Sequence, residues 1–594
     1  MKMLRLISCL LMAMGLPAAT PVRYSVDLTI VPERPEFSGV ARITVKLDAG
    51  STGVTLNAKD LVPGNARVSS GGRTVAARAR VLNPEEIRVE WVAPLGPGEA
   101  EVEIAYQGRM DDKLLVGPYR RQVDGAWYVF TTFTAIEARR AFPCFDEPHF
   151  KTPWKLTLHV RREHQAFSNT GMETETPEPD GMKAMRFAAT APLPSELVAF
   201  AVGPFDTLEG HAAGQKKVPV RVVTPRGRSQ QGRYAADVTD TLLARLERYT
   251  GIPYPSGKLD HVALPEGAYG AVENPGLITY QQRGLLAEPG KDTPEWRARL
   301  RGLMTHELAH QWFGNLVTQA GWQDVWLSEG FATWLAGRMM DDDSPAAERN
   351  LAAVAARERI MAVDSVAAAR PVRLAMRGRE ELSDVYSRMV YQKGAAVLLM
   401  LEGWQGEQRF RQELQSYLKQ RQFGVATTDD LAKALGTAAT LHTFLDQPGI
   451  PKVEVTARCE NGRGRLMLAQ QDKAKNWSVP VCWRTDRARA CTVLESGEQT
   501  VPLNACPAWV FGNAGGTGYY RTVWSEGQLK VLTAGGLAQL TAAEKLTLVY
   551  DLQAGGVGAS VLSTLAADAQ PRVARAAAEA LRAVAPKEPT GEKP

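Results

Sequence analysis

Within Thr305 to Thr333, THELAHQWFGNLVTQAGWQDVWLSEGFAT, the residues His306, Glu307 and His310 stand at the spacing H-E-x-x-H, and Glu329 follows nineteen residues after His310. On a helix, positions i and i+4 lie only about 40° apart around the axis, so His306 and His310 leave from one face. Two imidazoles placed in this way can hold one zinc ion, and Glu307 beside them can take a proton from a water at the metal. Glu329 is the candidate third protein ligand. The fourth position then stays open for water or substrate, the mark of a catalytic zinc site.

That chemistry needs a helix, and the sequence predicts one. Thr293 is a suitable N-cap and Pro294 suits the first helical position. Leu300, Leu303, Glu307, His310 and Gly314 recur at helical spacing, so the ligand face is also the buried face. Gly314-Asn315 is expected to end it. A second amphipathic run, Trp326 to Met340, carries Glu329 in its first turn. Three further segments hold unusual residue combinations. Gly270-Ala271-Val272-Glu273-Asn274 precedes Pro-Gly-Leu-Ile-Thr-Tyr. Tyr391-Gln392-Lys393-Gly394 lies in Ser387 to Trp404, which reads as a mostly buried helix. Ala138-Arg139-Arg140-Ala141-Phe142-Pro143-Cys144-Phe145-Asp146-Glu147-Pro148 lies far upstream.

Taken together, these segments resemble the M1 zinc aminopeptidases, gluzincins of the HExxH-x18-E type with a G-A-M-E-N motif, and the likeness runs from about Arg23 to about Ala554. The resemblance implies one zinc per chain on His306, His310 and Glu329, with Glu307 as general base and Tyr391 donating a hydrogen bond to the tetrahedral oxyanion. Tyr386 stands near by. It also implies that Glu273 binds the α-amino group of the substrate while the Gly270, Ala271, Val272, Glu273, Asn274 strand pairs with the peptide backbone. Val272 replaces the usual Met, which would reshape the pocket for the first side chain. Many relatives add a second acidic or amide group before the A-R-x-x-F-P-C segment. Here Thr134 takes the acidic position and Thr132 a common Gln position, and neither brings a charge.

Length and composition set the frame. At 594 residues the chain is too long for one core, and one domain per about 150 residues gives about four. It is 44% hydrophobic and 23% charged, and a net charge of +5 without a basic run argues against nucleic-acid binding. Residues 1–19 read as a signal peptide: Lys2 and Arg5 precede an apolar run from Leu6 to Leu16, too short for a membrane anchor. Leu6-Ile7-Ser8-Cys9 resembles a lipoprotein site only weakly, because the apolar stretch before Cys9 is short. Export to the periplasm or medium follows as the expectation, with no stable membrane insertion after cleavage.

The expected fold is multidomain α+β. Residues 20–206 form an all-β domain, with period-two alternation in Val22–Ile30, Arg42–Leu47 and Glu101–Tyr106. The family likeness makes it a saddle and makes residues 207–444 a thermolysin-like, mostly α catalytic domain. Residues 445–524 read as a small β-sandwich, and 525–594 as a short helical segment with a disordered tail. Many relatives cover the active-site cavity with a longer helical domain, so a more open cavity is expected. Cys459, Cys482, Cys491 and Cys506 suggest two disulfides in an exported domain, with three possible pairings. Cys482 and Cys491 flank a hairpin loop, which favours pairing them and leaves Cys459 for Cys506. Cys144 reads as a buried free thiol, Arg139 and Arg140 as a structural ion-pair segment, and His261 as a core or surface histidine.

The function these readings point to is hydrolysis of N-terminal residues from peptides, with a zinc-bound water attacking the scissile carbonyl. A non-catalytic peptide-binding protein on the same fold would lack Glu307 or a ligand, and all are present. An epoxide-hydrolase branch of the family carries an Asp where this chain has Ser383, which argues against that activity.

Overall fold

The computed structural model describes residues 19–345, 348–376, 381–472, 474–495 and 497–584. Residues 1–18 of the leader read in 1–19, Cys9 included, and the tail from Lys587 to Pro594 lie outside the described residues, whereas Ala19 already pairs with Leu47 in the first sheet. The chain divides into two units, Met1–Pro204 and Phe205–Pro594. Phe205 and Asp206, which the sequence places in the N-terminal domain, pair with Pro225 and Thr224 in the sheet of the second unit.

The N-terminal unit holds a ten-stranded and a four-stranded sheet. Alternation sets the register of the larger one: Val26 faces Ala41 and Ile43 faces Val102, and all four side chains are fully buried. Tyr24 stacks on Trp154 with ring centroids 3.7 Å apart. The Arg139–Asp146 pair is buried and structural, with Nε 2.7 Å from Oδ2 and Ser195 Oγ donating to Oδ1 at 2.6 Å. Cys144 is a buried free thiol, its pKa pushed up by burial.

The second unit opens with a five-stranded sheet in the spatial order Phe205–Glu209, Val220–Pro225, Leu259–Leu264, Leu277–Gln281, Ala271–Val272. Ala271–Val272 is an edge strand, antiparallel to its neighbour through Ala271–Tyr280 and Val272–Thr279. The helix Arg233–Thr250 is stopped by Gly251 at φ 69°. Helices then dominate, packed on a core that includes Leu300, Met304, Leu308, Trp312, Trp326, Phe331 and Val397. The sandwich follows as sheets of four and three strands. Both cysteine pairs form disulfides, Cys459–Cys506 and Cys482–Cys491, the second between residues directly opposite each other on adjacent strands. Four helices from Glu526 to Val584 close the described chain, the second started by a Thr541–Glu544 capping box. Among the described residues no helix is long and apolar enough to cross a membrane.

Candidate active site

The helix that carries the two histidines spans Pro294–Ala309, with Thr293 accepting a hydrogen bond from the Trp296 N–H at its start. It ends earlier than Gly314-Asn315. Past Ala309 the chain opens into wide turns, in which Asn315, Leu316 and Val317 N–H donate to the carbonyls five residues back, His310, Gln311 and Trp312. The next helix, Trp326–Asp341, presents Glu329 in its first turn. The run from Trp326 to Ala332 is buried on every side, where the sequence suggested an amphipathic helix.

Three atoms of these helices converge. His306 Nε2 and His310 Nε2 are 3.1 Å apart, and Glu329 Oε2 lies 3.4 Å and 3.3 Å from them. A tetrahedral ion with bonds of about 2.0–2.2 Å spaces its ligand atoms about 3.3–3.5 Å apart, so the triangle has the size such an ion requires. Glu329 Oε2 is buried and has no hydrogen bond of good geometry among the described residues, which fits an oxygen reserved for a metal. His310 Nδ1 lies 2.9 Å from Ser328 Oγ and 3.2 Å from the Phe313 carbonyl. An N–H donated to that carbonyl leaves the Nε2 lone pair aimed at the triangle. Gly314, at φ +120°, makes room for this: a β-carbon there would lie 2.3 Å from Ser328 Oγ.

The charges around the triangle favour a cation. Glu273, Glu307 and His310 offer ligand atoms within 4.8 Å of one another, so three carboxylates, Glu329 included, surround two imidazoles. Burial opposes a charge on His310, but Glu273, Glu329 and Glu307 outweigh it and hold its pKa up at about 10. Burial also works against the Glu329 charge, and His310 and His306 override it, keeping that carboxyl well below the usual range. Glu307 is the reverse case. Burial, with Glu273 and Glu329 adding to it, raises its pKa well above the ordinary value despite His310. An excess of carboxyl groups over imidazoles, two of the three buried, is relieved by a divalent cation.

The Tyr391 ring lies beside His306, with centroids 6.3 Å apart and planes at 18°. Burial first, then the Glu329 and Glu273 charges, push the phenol far above its normal pKa, so it stays a proton donor. Of the other residues read from the sequence, Val272 and Asn274 are buried and Ala271 half-buried at the edge strand, while Gly270 accepts from the Gln281 N–H. Tyr386 caps the short helix Leu382–Val385 and is half-buried against the core of this unit. Thr134 is not in this unit; it follows the strand Ala126–Thr132 of the N-terminal one. His261 is a buried core residue, bonded to Thr239 Oγ1 and Tyr280 Oη, its pKa lowered to about 4 by burial.

Comparison with known proteins agrees with this geometry. The Peptidase family M1 domain matches residues 234–447, and the Peptidase M1 N-terminal domain matches residues 20–197. The chain belongs to peptidase family M1. It is 31% identical over 558 residues to Aminopeptidase M1-C of Oryza sativa subsp. japonica, covering 90% of this chain and 62% of that protein. It is 29% identical to the Puromycin-sensitive aminopeptidase of Caenorhabditis elegans, over 86% of this chain and 57% of the relative. It is 32% identical to Aminopeptidase 2, mitochondrial, of Saccharomyces cerevisiae, over 76% and 48%. The chain thus spans about half to two thirds of the length of these relatives.

In this M1 chain two devices that sequence reasoning missed hold the candidate site residues in place. Tyr391 sits in a π-helical turn, Met389–Lys393, before the regular helix Gly394–Gln405. Such turns insert an extra residue into a helix and often mark functional sites. Lys393, fully buried, pairs with Asp364 Oδ2 at 2.9 Å and donates to the Gln447 carbonyl at 3.1 Å; Tyr519 Oη donates to the same Asp364 oxygen. The second device is a backbone contact. A β-carbon on Gly330 would meet Gly394 Cα and the Val390 carbonyl at 3.3 Å, and one on Gly394 would meet Gly330 Cα at 3.2 Å. The glycine after Glu329 and the glycine three residues past Tyr391 therefore touch. Lys393 and Gly394 were visible in the Tyr-x-Lys-Gly run, but their partners Asp364 and Gly330 were not.

Proposed function

We propose that this chain is a zinc aminopeptidase that removes N-terminal residues from peptides. The observation that carries the reading is the convergence of His306 Nε2, His310 Nε2 and Glu329 Oε2, with the Glu307 and Glu273 carboxylates around them. His306, His310 and Glu329 would hold one zinc ion, which when bound supplies Lewis acidity to water and to the scissile carbonyl. Glu307 is the proton carrier. Its carboxylate accepts the proton of the attacking water and returns it to the nitrogen of the leaving amine. The Tyr391 hydroxyl donates a hydrogen bond to the carbonyl oxygen as that oxygen gains charge, the stage at which such a donor counts most. Glu273 pairs with the ammonium of the first residue, which restricts cleavage to that residue. The edge strand Ala271–Val272 offers its free side to the peptide backbone. The apolar leader and the two disulfides support export into an oxidising compartment.

The test is hydrolysis of aminoacyl-coumarins, with N-acetylated versions as controls. Wild-type protein should carry one zinc, cleave only the free-amine substrates, and stop on chelation. Glu307→Gln should keep the zinc and lose about 10²–10⁴-fold in kcat. Near wild-type turnover in Glu307→Gln, or equal cleavage of acetylated substrates, would sink the reading.

A further inference from the structure

We propose that Gln311 and Asn315 are positioning residues for amine recognition: they pin the backbone of Glu273 to the chain segment that carries His306, Glu307 and His310, and so set the preference for a free α-amino group. The inference rests on the aminopeptidase reading and deepens it.

Gln311 Nε2 donates to the Glu273 carbonyl at 2.9 Å, and Asn315 Nδ2 donates to the same oxygen at 2.8 Å. Both side chains are buried, 1% and 5% exposed, and Gln311 Nε2 also reaches the Glu307 carbonyl at 3.3 Å. Two side-chain amides are thus committed to one carbonyl. The reason lies in where Glu273 sits. The edge strand pairs at Ala271 and Val272 only, so Glu273 falls one residue beyond its ladder. The two amides hold the peptide plane there as a ladder would, and a fixed peptide plane fixes the direction in which the Glu273 side chain leaves the backbone.

That direction has to be enforced. The ligand atoms of Glu273 and Glu307 lie within 4.8 Å of each other, so the amine anchor and the proton carrier adjoin and a small shift of Glu273 changes their spacing. An ammonium–carboxylate bond at about 2.8 Å is lost with a displacement of about 1 Å. The spacing is suited to the task. Glu307, Gln311 and Asn315 recur every fourth residue, so the segment that places the proton carrier also places the anchor for the amine. The register of the scissile bond against the amino terminus is therefore set by one stretch of chain.

The experiment compares two inhibitors, leucine hydroxamate and 4-methylpentanehydroxamate, which differ only in the α-amino group. Their Ki ratio reads amine recognition separately from metal binding and from the apolar pocket. In Gln311→Met/Asn315→Ala the ratio should fall about tenfold, while the des-amino compound stays within about threefold of wild type and the zinc content holds at one per chain. Should that variant not fold, Asn315→Ser, which leaves Gln311 in place, should lower the ratio about threefold. An unchanged ratio overturns the inference, and so does an equal loss for both compounds, which is what a merely structural role gives. No preference for the amine in wild type would instead overturn the aminopeptidase reading beneath it.

Discussion

Replacing Gly314 by Ala tests whether the metal site depends on how His310 is held. A β-carbon at 314 falls 2.3 Å from Ser328 Oγ and 3.3 Å from His310 Nδ1. Real β-carbons essentially never come within 3.0 Å of a neighbour, so Ser328 Oγ must retreat by about 0.7 Å or more, which breaks up its 2.9 Å contact with His310 Nδ1. The backbone adds a cost, because φ +120° is open to glycine and strained for alanine, on the order of 1–3 kcal/mol. Losing the partner that orients a metal-binding histidine typically lowers metal affinity about 10–100-fold. Gly314→Ala should therefore weaken zinc binding by about that factor, measured by competition with a chromophoric chelator, and lower the melting temperature. Ser328→Ala alone should cost less, because the Phe313 carbonyl still lies 3.2 Å from Nδ1. In the Ser328→Ala background the 2.3 Å clash is gone, and the nearest remaining approaches of the new β-carbon, to His310 Nδ1 and Ser328 Cβ, are 3.3 Å. The added effect of Gly314→Ala on zinc should then shrink to little more than backbone strain. An equal zinc penalty in both backgrounds, or wild-type affinity in Gly314→Ala, would refute this reasoning.

Three more outcomes are expected. Tyr391→Phe should reduce kcat about 10²–10³-fold with little change in KM, since it removes one donor to the developing oxyanion; a loss confined to KM would contradict the role given to Tyr391. Lys393→Met should cost about 3–5 kcal/mol in chemical denaturation by leaving Asp364 charged and buried, and adding Asp364→Leu should restore part of that; if the second substitution only worsens the first, the pair is not the source of the loss. Opening the Cys459–Cys506 bridge, which spans 47 residues, should cost the sandwich about 4 kcal/mol, against about 3 kcal/mol for Cys482–Cys491, which spans 9; the reverse order in thermal unfolding of the two Cys→Ala pairs would show that loop length is not what matters.

What was legible in the chain was local. H-E-x-x-H needs only one helical turn to be meaningful, and Thr293-Pro294 announced where that helix starts. Glu329 was legible from its spacing, nineteen residues after His310 in the first turn of a second expected helix, although that helix is more buried than an amphipathic pattern implies. The helix end was misplaced because Gly314 looks like a stop signal, while the wide turns after Ala309 leave no mark in residue type. The π-turn at Met389–Lys393 was hidden for the same reason: its residues would serve equally in a regular helix. Gln311 and Asn315 stood in plain view beside the histidines. Their purpose appeared only with Glu273 folded against them, a partner 38 and 42 residues away in the chain. Pairings across such distances depend on the assembled core and not on any window of sequence.

The contact between Gly330 and Gly394 bears on how steady the site is. Where two helices meet through side chains, their spacing depends on how those side chains pack. Here the backbones meet directly, so the gap between the segment bearing Glu329 and the one bearing Tyr391 works as a mechanical stop set by atomic radii alone. No rotamer can loosen it, and any side chain at either position can only thicken it. The spacing between the segments of Glu329 and Tyr391 is therefore set independently of side chains elsewhere in the unit, Val272 among them.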